Sequence, residues 1–142
     1  MKIFIGCDHA GFEMKEDLKK YLIDSNYDVE DKGTYSLDSV DYPDFAHAVA
    51  TSVENNVGSL GVLLCGSANG VCIAANKHQS IRAALCWLPE IASLARQHND
   101  ANVVCIPARF VSSETGHEIL KSFLAASFEG GRHQKRVDKI GC

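Results

Sequence analysis

The chain has 142 residues, of which 46% are hydrophobic and 23% charged, and its net charge is −4 at pH 7. This length predicts one domain, spanning residues 1–142, with a sizeable buried core. The acidic balance argues against a nucleic-acid or membrane surface, and no apolar run is long enough to cross a bilayer. No signal-type segment precedes the first apolar run, so we expect a cytoplasmic protein.

Six cysteines raise the question of a disulfide framework or a zinc site. They contain no C-x-x-C pair and no close repeat with the spacing of zinc ligands. We therefore expect free thiols that behave mostly as small buried hydrophobes, and neither a disulfide scaffold nor a thiol redox protein. The six are Cys7, Cys65, Cys72, Cys86, Cys105 and Cys142.

Apolar runs alternate with amphipathic stretches along the whole chain. Pro43 and Pro89 each suit the first turn of a helix, and Thr115 with Glu118 three residues later forms a capping signature for the last long helix. The predicted strands are 2–7, 27–32, 60–65, 81–86 and 103–106, and the predicted helices are 12–25, 43–54, 70–77, 89–98 and 115–124.

Five strands that alternate with helices predict an α/β fold, a three-layer α/β/α sandwich with a five-stranded parallel sheet of Rossmann-like type. Ligands bind beyond the carboxyl ends of the strands in such sheets. That edge would bring Asp8 and His9 next to the loop that begins at Cys65. A right-handed crossover places the end of the fourth helix, with His98 and Asn99, at the opposite edge. His98 would therefore join the site from a second subunit, which predicts a dimer, although a packed core histidine is the alternative.

The loop CGSANG, residues 65–70, carries the most chemical information. Its glycines permit a tight turn, and N–H groups near the start of the next helix can converge on one anion. We expect these N–H groups to stabilise a Cys65 thiolate, which can act as a base or a nucleophile beside the Ser67 hydroxyl. The alternatives are an inert thiol at a strand end and a serine that only forms the turn.

Familiar phosphate-binding loops do not match this sequence. The loop lacks the G-x-G-x-x-G of dinucleotide sites and the Gly-Lys-Ser/Thr of P-loops. A thiol phosphatase would close its cysteine loop with an arginine, whereas this loop continues to Val71 and Cys72. Arginines occur elsewhere, because Arg132 and Arg136 share a face in a helical tail and Arg109 follows the fifth strand. They are candidates to clamp a phosphate, and a solvated basic face is the alternative.

Taken together, these segments resemble the ribose-5-phosphate isomerase B family, whose relatives also isomerise allose and galactose 6-phosphates. The resemblance covers nearly the whole chain and rests on the order and spacing of GCDHAGF, DKGT, DYPDFA, LLCGSANGVCIAANK, IRAALC, LARQHNDANV and FEGGRHQKRV. It implies interconversion of D-ribose 5-phosphate and D-ribulose 5-phosphate through an enediolate, in the non-oxidative branch of the pentose phosphate pathway. It also implies a homodimer with shared active sites, and no metal or organic cofactor.

The resemblance also implies a role for each residue of the site. Cys65 would be the base that moves a proton between C2 and C1, and Ser67 would assist transfer between the hydroxyls. His98 with Asp8 would open the furanose ring. The enediolate oxygen would be held by the backbone of Gly66, Ser67, Ala68, Asn69 and Gly70. Phosphate would be bound by His9, Arg109, Arg132 and Arg136, and the sugar by Tyr42 and Asn99.

Two positions of the loop depart from the family pattern. Ala68 stands where relatives usually have glycine, and a positive φ there would strain it. Ser67 stands where threonine is frequent, but it keeps the hydroxyl. Some relatives lack the cysteine and use a glutamate shortly after the loop, a neighbourhood occupied here by Val71 and Cys72, so Cys65 is the candidate base. Left open are a preference for hexose 6-phosphates, a non-catalytic sugar-phosphate-binding module, and the pairing of dimers into tetramers.

Overall fold

A computed structural model describes residues 1–141 of the chain, with five strands and six α-helices. Strands β1 to β5 are Lys2–Cys7, Asp28–Asp31, Leu60–Cys65, Ala83–Leu85 and Val103–Pro107. Helices α1 to α6 are Phe12–Asp24, Tyr42–Glu54, Asn69–Ala75, Pro89–Asn99, Ser113–Ala125 and Gln134–Val137. Short 3₁₀ turns, His9–Gly11 and Gly131–His133, precede α1 and α6. Among the helices of residues 1–141, none has the length and apolar character needed to cross a membrane.

All five strands pair in parallel, in the order β2-β1-β3-β5-β4. The central strand β3 is apolar and buried along its whole length, as is typical of a strand covered on both faces. Gly61 permits close packing there, since a Cβ at this position would lie 2.9 Å from methyl groups of both Val49 and Val103. In the register, Cys7 pairs with Leu64, so β1 and β3 end at the same edge.

Helices cover both faces of the sheet, which confirms the predicted α/β/α sandwich. Helices α1, α4 and α5 pack on one face, through residues such as Leu18, Ala95 and Phe123. Helices α2 and α3 pack on the other face, through residues such as Val49 and Val71. The sheet therefore separates two apolar layers, and polar groups gather beyond the ends of its strands.

Predicted and observed boundaries differ by one or two residues at several elements, and hydrogen bonds explain two of these differences. The predicted Thr115 cap lies inside the first turn of α5, because the Ser112 Oγ accepts a hydrogen bond from the Thr115 N–H at 3.1 Å and the helix begins at Ser113. Serine at this position is an equally good N-cap, so the cap lies three residues earlier than predicted. Strand β4 is shorter than predicted, since the Ile81 N–H bonds to the His78 carbonyl in a turn rather than to the sheet.

A buried ion pair fixes the backbone at the end of β1. Lys15 is fully buried, and its Nζ donates to the two carboxylate oxygens of Asp31 at 2.7 and 2.6 Å. Lys19 donates to the same carboxylate at 2.8 Å, and the Gly33 N–H does so at 2.9 Å. The Gly33 carbonyl in turn accepts from the Cys7 N–H at 2.7 Å. The cluster thus ties α1, β2 and the following turn to the strand end where the candidate site begins.

Candidate active site

Asp8 and Cys65 meet where β1 and β3 end. Asp8 is 5% exposed, and its Oδ1 accepts hydrogen bonds from the N–H groups of Ala10 at 3.0 Å and Gly11 at 3.1 Å. Its other oxygen, Oδ2, accepts from the Cys65 thiol across 3.0 Å. Gly11 permits this approach, since a Cβ there would lie 2.7 Å from the Leu64 backbone. The predicted juxtaposition of these two strand ends is therefore present, with a direct bond between the two side chains.

The free protein holds Cys65 as a thiol. Burial raises its pKa most, and the hydrogen bond and negative charge of Asp8 raise the pKa further, to about 11. The N–H groups of Gly66 and Ala68 are directed at the sulfur and lower the pKa, but they are outweighed. The N–H donors expected from the sequence are therefore present and favour the thiolate, but in the free protein they do not outweigh burial and Asp8. The Asp8 carboxylate changes the Cys65 pKa more than these N–H groups do.

Within the loop, Ala68 has a φ of 62°, in the left-handed region, and is fully buried. Alanine is held in that region at a cost of about 1 kcal/mol, which is the strain expected from the sequence. Ser67 is exposed, and its Oγ accepts from both the N–H and the side-chain amide of Asn69 at 3.3 Å. The Ser67 hydroxyl proton is therefore free to be donated outward.

Two predicted binding residues from other elements cover this loop. Tyr42 begins α2, and its ring lies against Gly70, where a Cβ would be 2.5 Å from two ring carbons. Arg109 follows β5, and its N–H donates to the Gly66 carbonyl at 3.1 Å. Its side chain crosses the same glycine, since a Cβ on Gly66 would be 3.3 Å from the Arg109 Cδ. The structure thus places a phenol and a guanidinium against the loop.

His9 lies one residue beyond Asp8 and is half-buried. Its Nδ1 accepts a hydrogen bond from the Val40 N–H at 3.3 Å, so the neutral ring carries its proton on Nε2. That N–H is available to an anion. The same bond ties the polar connection 33–41, whose position the sequence could not give, to the candidate site.

Four predicted residues lie away from the Cys65 loop within this chain: His98, Asn99, Arg132 and Arg136. Helix α4 begins after the carboxyl end of β4 and ends before β5, so its last residues lie at the amino-end edge of the sheet. Asn99 accordingly borders a cleft with Ala83, the first residue of β4. The structure therefore divides the predicted site residues into two groups at opposite edges of the sheet, as the sequence predicted for His98.

The chain after α5 returns to the end of α4. The His133 ring stacks on the His98 ring, with centroids 4.2 Å apart and planes at 13°. Glu129 Oε1 lies 3.6 Å from the Nε2 of each histidine. Burial lowers the pKa of His133, and the neighbouring His98 and Arg132 lower it further. Sequence reasoning missed Glu129 and His133, although the two glycines between them were a signal of a chain reversal.

The two arginines of the tail flank this return. Arg132 and Arg136 are both exposed, and the Arg136 Nη1 donates to the Arg132 carbonyl at 3.3 Å. The tail forms a 3₁₀ turn followed by the short helix α6, so the two guanidiniums stand one helical turn apart. Both are free of carboxylate partners among residues 1–141, as a site for an external anion requires.

An open cleft of about 610 Å³ adjoins the Cys65 loop. Ser67 and Asn69 line one side of it, and Leu85, Trp87 and Phe110 contribute to the rest. Trp87 is 50% exposed and Phe110 75% exposed. Exposed aromatic side chains of this kind are typical of a surface that another macromolecule covers. The predicted site is also incomplete at this edge of the sheet, because four of its polar residues lie elsewhere in the chain.

The chain is similar to known proteins over nearly its whole length. The family model described as Ribose/Galactose Isomerase matches residues 3–140. A probable ribose-5-phosphate isomerase B of Mycoplasma pneumoniae is 49% identical over 139 residues, covering 97% of this chain and 91% of that protein. The ribose-5-phosphate isomerase B of Escherichia coli is 45% identical over 139 residues, covering 98% and 93%.

Solved structures agree with these similarities. The crystal structure of a ribose 5-phosphate isomerase from Thermotoga maritima matches with a TM-score of 0.96 and 49% identity, covering 99% of this chain and 97% of that one. The ribose-5-phosphate isomerase B of Mycoplasma genitalium, solved with bound ribulose-5-phosphate, matches with a TM-score of 0.95 and 46% identity, covering 98% and 93%.

Proposed function

Because the chain belongs to the ribose/galactose isomerase family, we propose that it interconverts D-ribose 5-phosphate and D-ribulose 5-phosphate. The observation that carries this proposal is the Cys65–Asp8 hydrogen bond beside the exposed Ser67 hydroxyl. The relative from Mycoplasma genitalium, 46% identical, contains ribulose-5-phosphate. The chain acts as one isomerase domain in the cytoplasm, within the non-oxidative branch of the pentose phosphate pathway.

The reaction needs a base for a carbon-bound proton and a relay for a hydroxyl proton. Cys65, as thiolate, removes the proton from C2 of the open-chain aldose and returns it to C1. The hydroxyl proton on O2 passes to O1 through the Ser67 Oγ, so the ketose forms with no net gain or loss of protons. Negative charge develops on oxygen in between, and the loop N–H groups of Ser67 and Gly70 are the donors assigned to it.

Substrate binding must first make Cys65 a better base. With a pKa of about 11, forming the thiolate at pH 7 costs about 5 kcal/mol. Asp8 is one of the two main causes of that pKa. A sugar hydroxyl that donates to Asp8 Oδ2 replaces the thiol there and disperses the carboxylate charge. The Cys65 pKa then falls toward the value that the N–H groups of Gly66 and Ala68 favour.

Two subunits complete each site in this proposal. His98 at the far end of α4 reaches the Cys65 loop of a partner subunit and donates a proton to the ring oxygen, while Asp8 accepts the proton of the C1 hydroxyl. The exposed side chains Trp87 and Phe110 beside the loop are the apolar area that such a partner covers. The sites are therefore shared in a homodimer; whether dimers pair further is a separate question.

The phosphate lies between the two groups of cations. His9 and Arg109 stand at the Cys65 edge, and Arg132 and Arg136 come from the partner's tail, with Tyr42 and the partner copy of Asn99 contacting the sugar. Guanidinium groups bind a phosphate dianion in a bidentate manner, which fixes its orientation. This remote binding energy positions C1 and C2 against the Cys65 sulfur.

The first test follows formation of ribulose 5-phosphate from ribose 5-phosphate in the presence of a chelator. We expect turnover in the wild type and in Cys86→Ala, which removes a buried thiol outside the loop, and none in Cys65→Ala. Hexose 6-phosphates are assayed in parallel to give the sugar preference. Binding of ribose 5-phosphate without any exchange of its C2 hydrogen with solvent would contradict catalysis and leave a binding module.

The shared site has its own test. Co-expression of differently tagged Cys65→Ala and His98→Asn chains allows purification of the heterodimer. If sites are shared, one of its two sites carries both substitutions and the other carries neither, so about half of the wild-type activity returns. If each site is built from one chain, both sites of the heterodimer stay damaged and no activity returns.

A further inference from the structure

Asp100 ends α4 in a backbone conformation that few residues adopt. It directly follows His98 and Asn99, and its φ of 47° and ψ of 43° lie in the left-handed region. Aspartate enters this region more readily than most residues, although less readily than glycine. The Asp100 N–H still donates to the Arg96 carbonyl of the helix at 3.2 Å. The chain therefore leaves the helix at Asp100, and this residue sets where the last turn of α4 ends.

Two arginines hold Asp100 in this conformation. The Arg82 Nε donates to the Asp100 carbonyl at 2.8 Å, and its Nη2 donates to Asp100 Oδ2 at 3.1 Å. The Arg96 Nη1 donates to Asp100 Oδ1 at 3.3 Å and to the Ala101 carbonyl at 2.6 Å. The two guanidinium groups therefore bind both carboxylate oxygens of Asp100 and the two successive backbone carbonyls at the end of the helix.

The arginines are themselves attached to the rest of the fold. Arg82 directly precedes β4, and its N–H donates to Asn102 Oδ1 at 2.8 Å. The Arg96 guanidinium lies 5.7 Å from the centroid of the Phe123 ring in α5. The side chains of Arg82, Arg96 and Asp100 are 26%, 17% and 35% exposed, so salt screens their ion pairs less than it screens pairs on the open surface. The end of α4 is therefore fixed relative to both the sheet and α5.

We propose that Asp100, bound by Arg82 and Arg96, is a positioning residue that fixes His98 for proton transfer to the ring oxygen of the sugar. This inference rests on the proposed function, in which His98 opens the furanose ring in the partner's site. A carboxylate is unfavourable beside the partial negative charge of a helix C-terminus unless cations neutralise it, as the two arginines do here. The acidic side chain thus serves the backbone conformation that it fixes rather than the stability of the helix.

The tail supports the other side of the same helical turn. The Glu129 N–H donates to the Gln97 carbonyl at 3.0 Å, and the His133 ring stacks on the His98 ring with centroids 4.2 Å apart. Loss of the contacts to Asp100 leaves His98 with this one support, so the end of α4 can shift against the stacked ring. A displacement of about 1 Å at a reacting group can lower a rate by about 100-fold. A small shift of His98 is therefore enough to slow ring opening.

The two sugars separate ring opening from the chemistry at Cys65. The C5 oxygen of ribulose 5-phosphate carries the phosphate, so this ketose cannot close a furanose ring and reaches the site in its open-chain form. Exchange of its C1 hydrogen with solvent deuterium therefore requires Cys65 but not His98. We expect Asp100→Gly and Arg82→Met to lower kcat for ribose 5-phosphate by roughly tenfold, with exchange at saturating ribulose 5-phosphate nearly unchanged. Asp100→Asn, which keeps one acceptor oxygen, should lose less.

Two control variants change the same kinds of feature elsewhere. Asn26→Gly places glycine at another residue that follows a helix in the left-handed region, with a φ of 65°. Lys20→Met removes the ion pair between Lys20 and Asp24, which lies outside this network. Both variants should keep the wild-type kcat. Circular dichroism and size-exclusion chromatography check that every variant folds and assembles as the wild type does.

Proton NMR of the substrate-free protein reports the position of His98 without reference to activity. The His98 ring resonances are assigned by their loss in His98→Asn, and they are shifted by the ring current of the stacked His133. We expect these resonances to move in Asp100→Gly and Arg82→Met and to stay in place in Asn26→Gly.

Reduced kcat for ribose 5-phosphate with exchange retained, together with moved His98 resonances, supports the proposal. Equal losses in the two assays, wild-type kcat in Asp100→Gly, or unmoved His98 resonances overturn it. If the wild type never isomerises ribose 5-phosphate, the proposed function fails, while the NMR result still decides whether Asp100 holds the His98 ring.

Discussion

The Cys65 thiol donates a hydrogen bond to Asp8 Oδ2 across 3.0 Å and so joins the carboxyl ends of β3 and β1. Burial and this carboxylate raise the Cys65 pKa to about 11, against the N–H groups of Gly66 and Ala68. The contact that orients the sulfur therefore also keeps it protonated. A substrate that engages Asp8 removes this constraint, so orientation and activation of the base are linked through one side chain.

Asp8→Asn tests this link. The substitution keeps an oxygen for the N–H groups of Ala10 and Gly11 but removes the negative charge beside the sulfur, so the Cys65 pKa should fall. A fall of one pKa unit gives roughly tenfold more thiolate at pH 8. We expect faster alkylation of Cys65 by iodoacetamide, measured by peptide mass spectrometry from pH 7 to 10, together with lower isomerase activity. The exposed-site control Asp17→Asn should alkylate as the wild type does, and equal rates in all three proteins would contradict the assignment.

Buried thiols should make the free energy of unfolding fall above about pH 9. Burial raises the pKa of Cys7 and Cys86 to about 12, and burial with Asp8 raises that of Cys65 to about 11, from a usual value of 9.0. Between pH 9 and these values, the folded chain retains protons that the unfolded chain has lost. The contribution of these buried thiols to the free energy of unfolding is thus complete below pH 9 and is lost as the pH rises toward 11 and 12.

Urea unfolding at pH 8, 9 and 10 measures this loss. Each buried thiol contributes a slope that approaches about −1.4 kcal/mol per pH unit. Cys86→Ala removes one such thiol, so its unfolding free energy should fall less steeply with pH than that of the wild type. Parallel pH dependences for the two proteins would show that Cys86 titrates normally in the folded state.

Lys15→Met should destabilise the protein by about 3 kcal/mol, because it leaves a half-buried carboxylate with one partner fewer. Burial raises the pKa of Asp31, but hydrogen bonds from Lys15 and Lys19 outweigh it and hold the pKa below its usual value. The stabilisation from Asp31 is therefore present above its unfolded pKa and is lost as the pH falls through the folded one. In Lys15→Met, the part of the unfolding free energy that is lost at acidic pH should be smaller than in the wild type.

Chemical unfolding between pH 3 and 7 measures both effects. Lys20→Met is the control, since Lys20 pairs with Asp24 at 2.6 Å while their side chains are 77% and 62% exposed. Such exposed pairs contribute little to stability, because water and salt screen the two charges. Equal losses in the two variants would mean that the buried pair adds nothing beyond a surface contact.

The order and type of the five strands and of helices α1 to α5 followed from the sequence because each is encoded locally. The continuous apolar run of β3 and the apolar spacing of α1 differ in period, and Pro43 and Pro89 mark helix starts. The start of α5 was misplaced because Ser112 and Thr115 are both good caps three residues apart, and only the observed bond distinguishes them. Local pattern therefore predicts elements better than it predicts their ends.

The candidate site was predictable in position but not in its electrostatics. Parallel topology alone places Asp8 near Cys65 and sends His98 to the other edge. The thiol pKa depends on burial and on a carboxylate 57 positions away in the chain, neither of which is a local property. The stacking of His133 on His98 likewise depends on the direction in which two glycines turn the chain.

Gly70→Ala should weaken sugar binding through Tyr42. A Cβ at position 70 would lie 2.5 Å from two carbons of the Tyr42 ring, so the ring must move. We expect a several-fold rise in KM for ribose 5-phosphate and a smaller change in kcat. Alanine is also favoured over glycine in a helix by about 1 kcal/mol, so loss of α3 cannot account for weaker binding.

A double-mutant cycle separates this effect from a general disturbance of the loop. If Gly70→Ala acts by displacing Tyr42, then adding it to Tyr42→Ala should cost little more than Tyr42→Ala alone. The control cycle uses Tyr35→Ala, another exposed tyrosine, with which Gly70→Ala should combine additively. Additive effects in both cycles would mean that the glycine acts on the backbone of the loop itself, and that contact with the Tyr42 ring is not the reason a glycine is required at this position.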